Sequence, residues 1–173
     1  MKRLIVTAAL LFMVPALASA QNADQPYRGQ GYFFFGWGTG TASSCAYPTF
    51  LHGGGGGEGF LYKGLGFGAE AGYASWGRYY NTAWIASGDF SYHFRRHARP
   101  RGVDPFVLGG VSFVGPTQVG GGRGSPAGNF GGGANLWLAK HAALRFEFRD
   151  IVGATQFWPY SHYISFRVGM TFR

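Results

Sequence analysis

The chain has 173 residues, of which 31 are glycine and 18% aromatic, while Asp, Glu, Lys and Arg together supply only 13%, about half the usual share of a soluble domain. So little charge excludes an ordinary well-solvated surface, and after the first twenty residues no apolar run reaches the length of a membrane-crossing helix. The formal charge of +8 is scattered apart from one cluster, Arg95, Arg96, Arg99 and Arg101, which does not amount to a nucleic-acid footprint.

Residues 1–20 read as a cleaved export signal. Lys2 and Arg3 precede an apolar run from Leu4 to Val14, and Ala18-Ser19-Ala20 forms a small-residue cleavage site before Gln21. Residues 21–28 are a short N-terminal segment, and 29–173 are expected to make one domain. The lone Cys45 rules out an intramolecular disulfide.

From residue 29 onward, apolar residues recur at every second position between turn-rich breaks, the period of strands with one greasy and one polar face. The first strand, 29–41, is aromatic and glycine-rich, with Phe33, Phe35 and Trp37 on one side and Tyr32 and Phe34 on the other, so its facing stays open. Residues 42–53 read as a loop, and a second strand is expected at about 56–63, closed by a tight turn at Lys63-Gly64. In the third, 65–75, Leu65, Phe67, Ala69, Ala71 and Tyr73 alternate with a face that carries Glu70. The fourth, 83–94, sets Trp84, Ala86, Phe90, Tyr92 and Phe94 against Ser87, Asp89, Ser91 and His93.

A break at 95–103 leads to a fifth strand, 105–114, apolar on both faces, and a Gly/Pro/Ser loop at 115–127. The sixth strand, 128–139, opposes Phe130, Ala134, Leu136 and Leu138 to Asn129, Asn135 and Trp137. After Lys140-His141, the seventh strand, 142–151, puts Leu144, Phe146 and Phe148 on one face and Arg145, Glu147 and Arg149 on the other. A loop at 152–161 precedes the eighth strand, where Ile164, Phe166, Val168, Met170 and Phe172 alternate with a face carrying Ser165, Arg167 and Thr171.

Eight strands of about ten residues suit a tilted crossing of a bilayer, and only a closed barrel pairs every strand within lipid. The expected fold is therefore all-β, an eight-stranded antiparallel up-and-down transmembrane β-barrel. The alternative, a soluble lipocalin-like barrel with the apolar faces inside, needs outer charge that several strands do not supply. Aromatic residues near strand ends, Trp76, Tyr79, Tyr80, Trp84, Trp158 and Tyr160, also fit an interfacial girdle. With apolar faces outward, Glu70, Asp89 and Glu147 meet Arg145, Arg149 and Arg167 inside a narrow bore. Three carboxylates balance three guanidinium groups, and in so tight a space they are expected to pair.

The stretch Gly128 to Asp150, preceded by D-P-F-V-L-G-G-V-S-F and followed by Y-I-S-F-R-V-G-M-T-F-R, resembles the C-terminal half of small outer-membrane barrels of the OmpA/OmpX-like, porin-family type. The resemblance implies a barrel in the outer membrane of a Gram-negative bacterium, in contact with outer-membrane lipid. It also implies that the last strand, through Phe166, Val168, Met170 and Phe172, is read by the barrel-assembly machinery, with Arg173 as a departure from the usual aromatic ending. Such proteins have structural, adhesive and host-interaction roles, so a structural or surface-interaction function without catalysis is expected, with a narrow passive channel as the alternative.

Other chemistry finds little support. Gly53 to Gly57 and Gly131 to Gly133 lack the Lys-Ser/Thr of a phosphate-binding loop. His52, His93, His97, His141 and His162 lack metal-ligand spacing, so no cofactor or metal is expected. A lipid-modifying enzyme needs a nucleophile beside a base, and Ser91 with His93 on one face falls short of a converging set.

Overall fold

The computed structural model describes residues 28–42, 49–62, 64–76, 81–94, 102–117, 124–153 and 160–173. The leader at 1–20, Cys45, the arginine cluster at 95–101 and Tyr79, Tyr80 and Trp158 lie outside the described residues. Eight strands follow in order: β1 (Gly29–Ala42), β2 (Thr49–Tyr62), β3 (Leu65–Trp76), β4 (Asn81–His93), β5 (Val103–Pro116), β6 (Ser125–Trp137), β7 (Ala142–Val152) and β8 (Tyr160–Phe172). Each pairs antiparallel with its sequence neighbours, and β1 pairs with β8 to close the barrel, so no edge strand is left open.

The strands are longer than the alternation alone indicates. β2 begins at Thr49 rather than near 56, and β5 and β6 extend to Pro116 and back to Ser125 across residues expected to be loop. Glycine has poor strand propensity because it brings no side chain to pack. Gly53 to Gly57 nevertheless pair on both edges, with Gly31 to Phe35 of β1 and Ala69 to Tyr73 of β3. Closure supplies ladder hydrogen bonds that local propensity does not. The tight turn at Gly64 is as expected, and its φ of 94° is a conformation that favours glycine.

Polarity is inverted relative to a soluble domain. Phe33, Phe35, Trp37, Phe67, Phe90, Phe113, Phe130, Phe146, Phe148 and Phe166 stand exposed on the outside, while Arg149, Arg167, Glu147 and Asp104 are buried. This excludes the lipocalin-like alternative, whose apolar residues would fill the centre. The facings left open by the sequence are resolved. On β1, Phe33, Phe35 and Trp37 face out while Tyr32 and Phe34 face in; on β5, Asp104, Phe106, Leu108, Ser112 and Val114 face in.

Candidate functional site

The bore is filled in layers, and its middle layer holds the charges expected there. Successive inward positions of β7 carry Arg145, Glu147 and Arg149, so one strand brings a carboxylate between two guanidinium groups. Arg145 donates to Glu147 Oε2 through Nε at 2.9 Å and Nη2 at 2.8 Å, and Arg149 Nε donates to Glu147 Oε1 at 2.8 Å. Arg149 then reaches across the bore to β4, its Nη1 lying 2.9 Å from Asp89 Oδ2, and to β3, 3.6 Å from Glu70 Oε1. From β8, Arg167 Nη1 lies 2.8 Å from Glu70 Oε1 and 3.3 Å from Glu147 Oε1. All six side chains are thus linked, and all are buried.

Further inward residues complete this layer, among them Tyr32, His52, Phe106 and Ser112, whose facing strand alternation left open. Tyr32 donates its hydroxyl to Glu70 Oε2 at 3.2 Å, and Arg167 Nη2 donates to His52 Nδ1 at 3.1 Å. The Arg145 guanidinium lies 4.3 Å from the Tyr32 ring centroid and 4.1 Å from that of Phe106, a position in which the ring faces attract the cation. Ser87, Ser112 and Asn129 extend the network through hydroxyl and amide hydrogen bonds of 2.8 and 2.9 Å.

Toward the end where the chain enters and leaves the barrel, a second polar group gathers around Glu58. Gln30 Nε2 donates to its Oε2 at 2.8 Å, and Ser91 donates to its Oε1. His93 bridges Glu58, at 3.2 Å from Nε2, and Asp104, at 2.8 Å from Nδ1. Glu58 and Asp104 were not legible as lumen groups, since one sits in a glycine run and the other just ahead of a strand apolar on both faces. Ser91 is directed at Glu58, and both His93 nitrogens are engaged by carboxylates, so Ser91 and His93 do not pair with each other.

The opposite end of the bore is apolar. Phe50, Ala74, Trp76, Ala83, Ile85, Val114, Ala127, Ile151 and Tyr163 form one buried cluster. Trp76, expected in the interfacial girdle, instead faces inward against Phe50, with ring centroids 5.2 Å apart. The cavity beneath this layer, lined by Phe50, His52, Trp76 and Tyr163 among others, has room for about one water molecule. Among the described residues no group of His, Cys, Asp and Glu is placed to hold a metal ion.

On β8, Phe166 and Phe172 are exposed and Val168 and Met170 half-buried, all on the outward face opposite Arg167 and Thr171. A closed eight-stranded barrel, oily outside and packed with paired charges inside, is a membrane-spanning architecture. The fold is that of the small outer-membrane barrels. Neisserial surface protein A superposes with a TM-score of 0.67 at 9% identity, over 83% of this chain and 96% of that one. The outer-membrane protein OprG of Pseudomonas aeruginosa gives 0.56 at 6% identity, over 84% and 95%. The N-terminal β-barrel domain of Pseudomonas aeruginosa OprF gives 0.54 at 17% identity, over 84% and 98%. No protein-family model and no curated protein sequence matches the chain. The outward face is apolar, as a barrel that spans a lipid bilayer requires.

Proposed function

We propose that this outer-membrane barrel is a non-conducting, non-catalytic protein whose role is structural or lies in contacts made at the cell surface. The observation that carries this reading is the filled bore. A layer of cross-linked charge lies beneath a layer of packed apolar side chains, which leaves little room for a hydrated ion or a substrate. What such a protein still offers is its outer belt to lipid and its rims to the two aqueous sides. The leader at 1–20 would deliver the chain for export, and Phe166, Val168, Met170 and Phe172 would present the last strand to the barrel-assembly machinery. The solved structures with this fold include a surface protein and the attachment invasion locus protein of Yersinia pestis, the latter with a TM-score of 0.52 at 9% identity over 84% of this chain and 98% of that one, which is consistent with a surface role.

The deciding experiment is single-channel recording in planar bilayers, paired with lipid A mass spectrometry of cells with and without the protein. Background current and an unchanged acyl pattern are expected. Large steady currents would favour the narrow-channel reading, and an altered acyl pattern would favour an enzyme.

A further inference from the structure

The polar group around Glu58 lies where β1 begins and β8 ends, beside the short turn at Gly64, which is the periplasmic side of a bacterial barrel. It joins strands that are not all neighbours: Glu58 stands on β2, His93 on β4 and Asp104 on β5. Glu58 meets the side chains of β4 across β3 because Gly66 is bare. A Cβ there would come within 2.5 Å of Glu58 Oε1 and 2.6 Å of Ser91 Oγ. The His93 ring is edge-on to Phe60, with centroids 5.1 Å apart, and stacks on Phe106 at 5.2 Å. Its backbone N–H donates to the Gly64 carbonyl at 2.8 Å, so ring and backbone are both held.

The two ring nitrogens face two acceptors. His93 Nδ1 lies 2.8 Å from Asp104 Oδ2 and Nε2 lies 3.2 Å from Glu58 Oε2, and an ionised carboxylate only accepts. A neutral imidazole donates from one nitrogen and keeps a lone pair on the other. That lone pair would be pressed against a carboxylate oxygen in a site where Glu58, His93 and Asp104 are 8%, 2% and 0% exposed, and such an unmade hydrogen bond is costly away from water. Glu58 also accepts from Gln30 Nε2 at 2.8 Å and from Ser91, which suits its ionised form.

Charge balance points the same way. The middle layer sets three guanidinium groups against Glu70, Asp89 and Glu147, and among the described residues no lysine or arginine forms an ion pair with Glu58 or Asp104. The other charge facing this group is Arg145 of β7, whose guanidinium lies 4.1 Å from the Phe106 ring centroid and is held by Glu147. Asn135 of β6, the register partner of Asp104, and Thr171 of β8, which donates to Asn135, add none. His52 accepts from Arg167 at Nδ1 and is likewise uncharged. With the His93 ring neutral the bore holds five carboxylates against three cations; with it charged, against four.

We propose that His93 is held as an imidazolium and acts as a proton-operated latch at the periplasmic end of the bore. Its two N–H groups tie β2 to β5 through Glu58 and Asp104. When the proton leaves, one tie is lost and two carboxylates remain with no cation between them, so this end of the barrel loosens as pH rises. A folded state that holds a proton which the unfolded chain releases becomes less stable with rising pH, by up to about tenfold in the folding constant per pH unit. The latch depends on this cluster alone and stands whether or not the bore conducts.

The test is nitrogen NMR of the protein with isotope-labelled histidines, folded in micelles, with the His93 ring assigned through its own backbone. Near neutral pH both ring nitrogens are expected to carry protons. Asp104→Asn removes the need for the second proton, since the amide group can donate to Nδ1 while Nε2–H still points at Glu58, and its ring is expected to show one bare nitrogen at the same pH. Denaturant unfolding from neutral to mildly alkaline pH should lower the folding constant of the parent by up to about tenfold per pH unit relative to that of Asp104→Asn. Where Asp104→Asn does not fold, Glu58→Gln makes the same comparison at the other nitrogen, and the ring signals of the parent decide by themselves. A bare nitrogen on the parent ring near neutral pH, or parallel pH profiles for parent and variant, overturns the proposal.

Discussion

Glu147 and Arg167 are register partners on β7 and β8, and Arg167 Nη1 lies 3.3 Å from Glu147 Oε1. Glu147 also accepts from Arg145 and Arg149, so a single carboxylate touches three guanidinium groups in a buried layer, with Glu70 and Asp89 supplying the remaining negative charge. Glu147→Gln leaves those cations short of charge and is expected to cost about 3–5 kcal/mol, read from denaturant unfolding of the refolded protein in micelles. Arg167→Met is also expected to destabilise, and the double variant should lose less than the sum, with a coupling of roughly 0.5–3 kcal/mol. Strict additivity would show that the two side chains do not act together.

The outward belt makes a depth-dependent prediction on a single strand. Val111 and Val103 both face outward on β5, exposed by 51% and 45%, but Val103 is the first residue of the strand and Val111 lies nearer its middle. A lysine at the bilayer midplane costs about 2–4 kcal/mol and one near the interface about 0–1. Val111→Lys should therefore lower the unfolding free energy in lipid vesicles well beyond Val103→Lys. Equal losses at the two positions would mean that the belt is not centred where the strand lengths put it.

Legibility in the sequence followed the contrast between the two faces of each strand. On β7 every inward residue from Arg145 to Arg149 is charged and every outward one aromatic, so alternation alone assigned both faces of this strand and named three of the six charged residues that the structure links. On β5 the inward positions include Phe106, Leu108 and Val114, because apolar side chains fill the bore among the polar ones, and the outside is apolar as well. Period-two patterning carries no sign when both faces are greasy. Glu58 was hidden for a different reason: its strand is held by pairing on both edges across a glycine run, a tertiary cause with little local trace. Trp76 shows the same limit, since an aromatic residue near a strand end suits either an interfacial girdle or an inward cap.

Gly133 and Gly88 separate close approach from open surface. A Cβ at Gly133 would run into the Phe146 carbonyl and come within 2.9 Å of both Glu147 Cα and the Phe106 ring, whereas one at Gly88 would meet nothing within 4 Å. Overpacking of a filled interior costs about 1–3 kcal/mol. Gly133→Ala should reduce both refolding yield and unfolding free energy, while Gly88→Ala stays within about 0.5 kcal/mol of the parent. The heat-resistant mobility difference between folded and unfolded forms on cold gels measures the yield directly. Equal tolerance at both positions would show that β6 and β7 are not so closely apposed.

The bore contains an apolar layer and a charged layer in series, and if both block ions their order predicts how conductance responds to substitution. Phe50 belongs to the apolar layer at the outer end, while Asp89 and Arg149, 2.9 Å apart, belong to the charged layer beneath it. Removing Phe50 alone opens space above a layer that remains filled, so Phe50→Ala should stay at background current in planar bilayers. Removing Asp89 and Arg149 together avoids leaving either without its partner, which limits the destabilisation that a lone buried charge brings. The triple variant Phe50→Ala, Asp89→Ala, Arg149→Ala should then pass small ions measurably. If Phe50→Ala alone conducts as well as the triple variant, the outer apolar layer is the whole barrier and the ion pairs serve stability only.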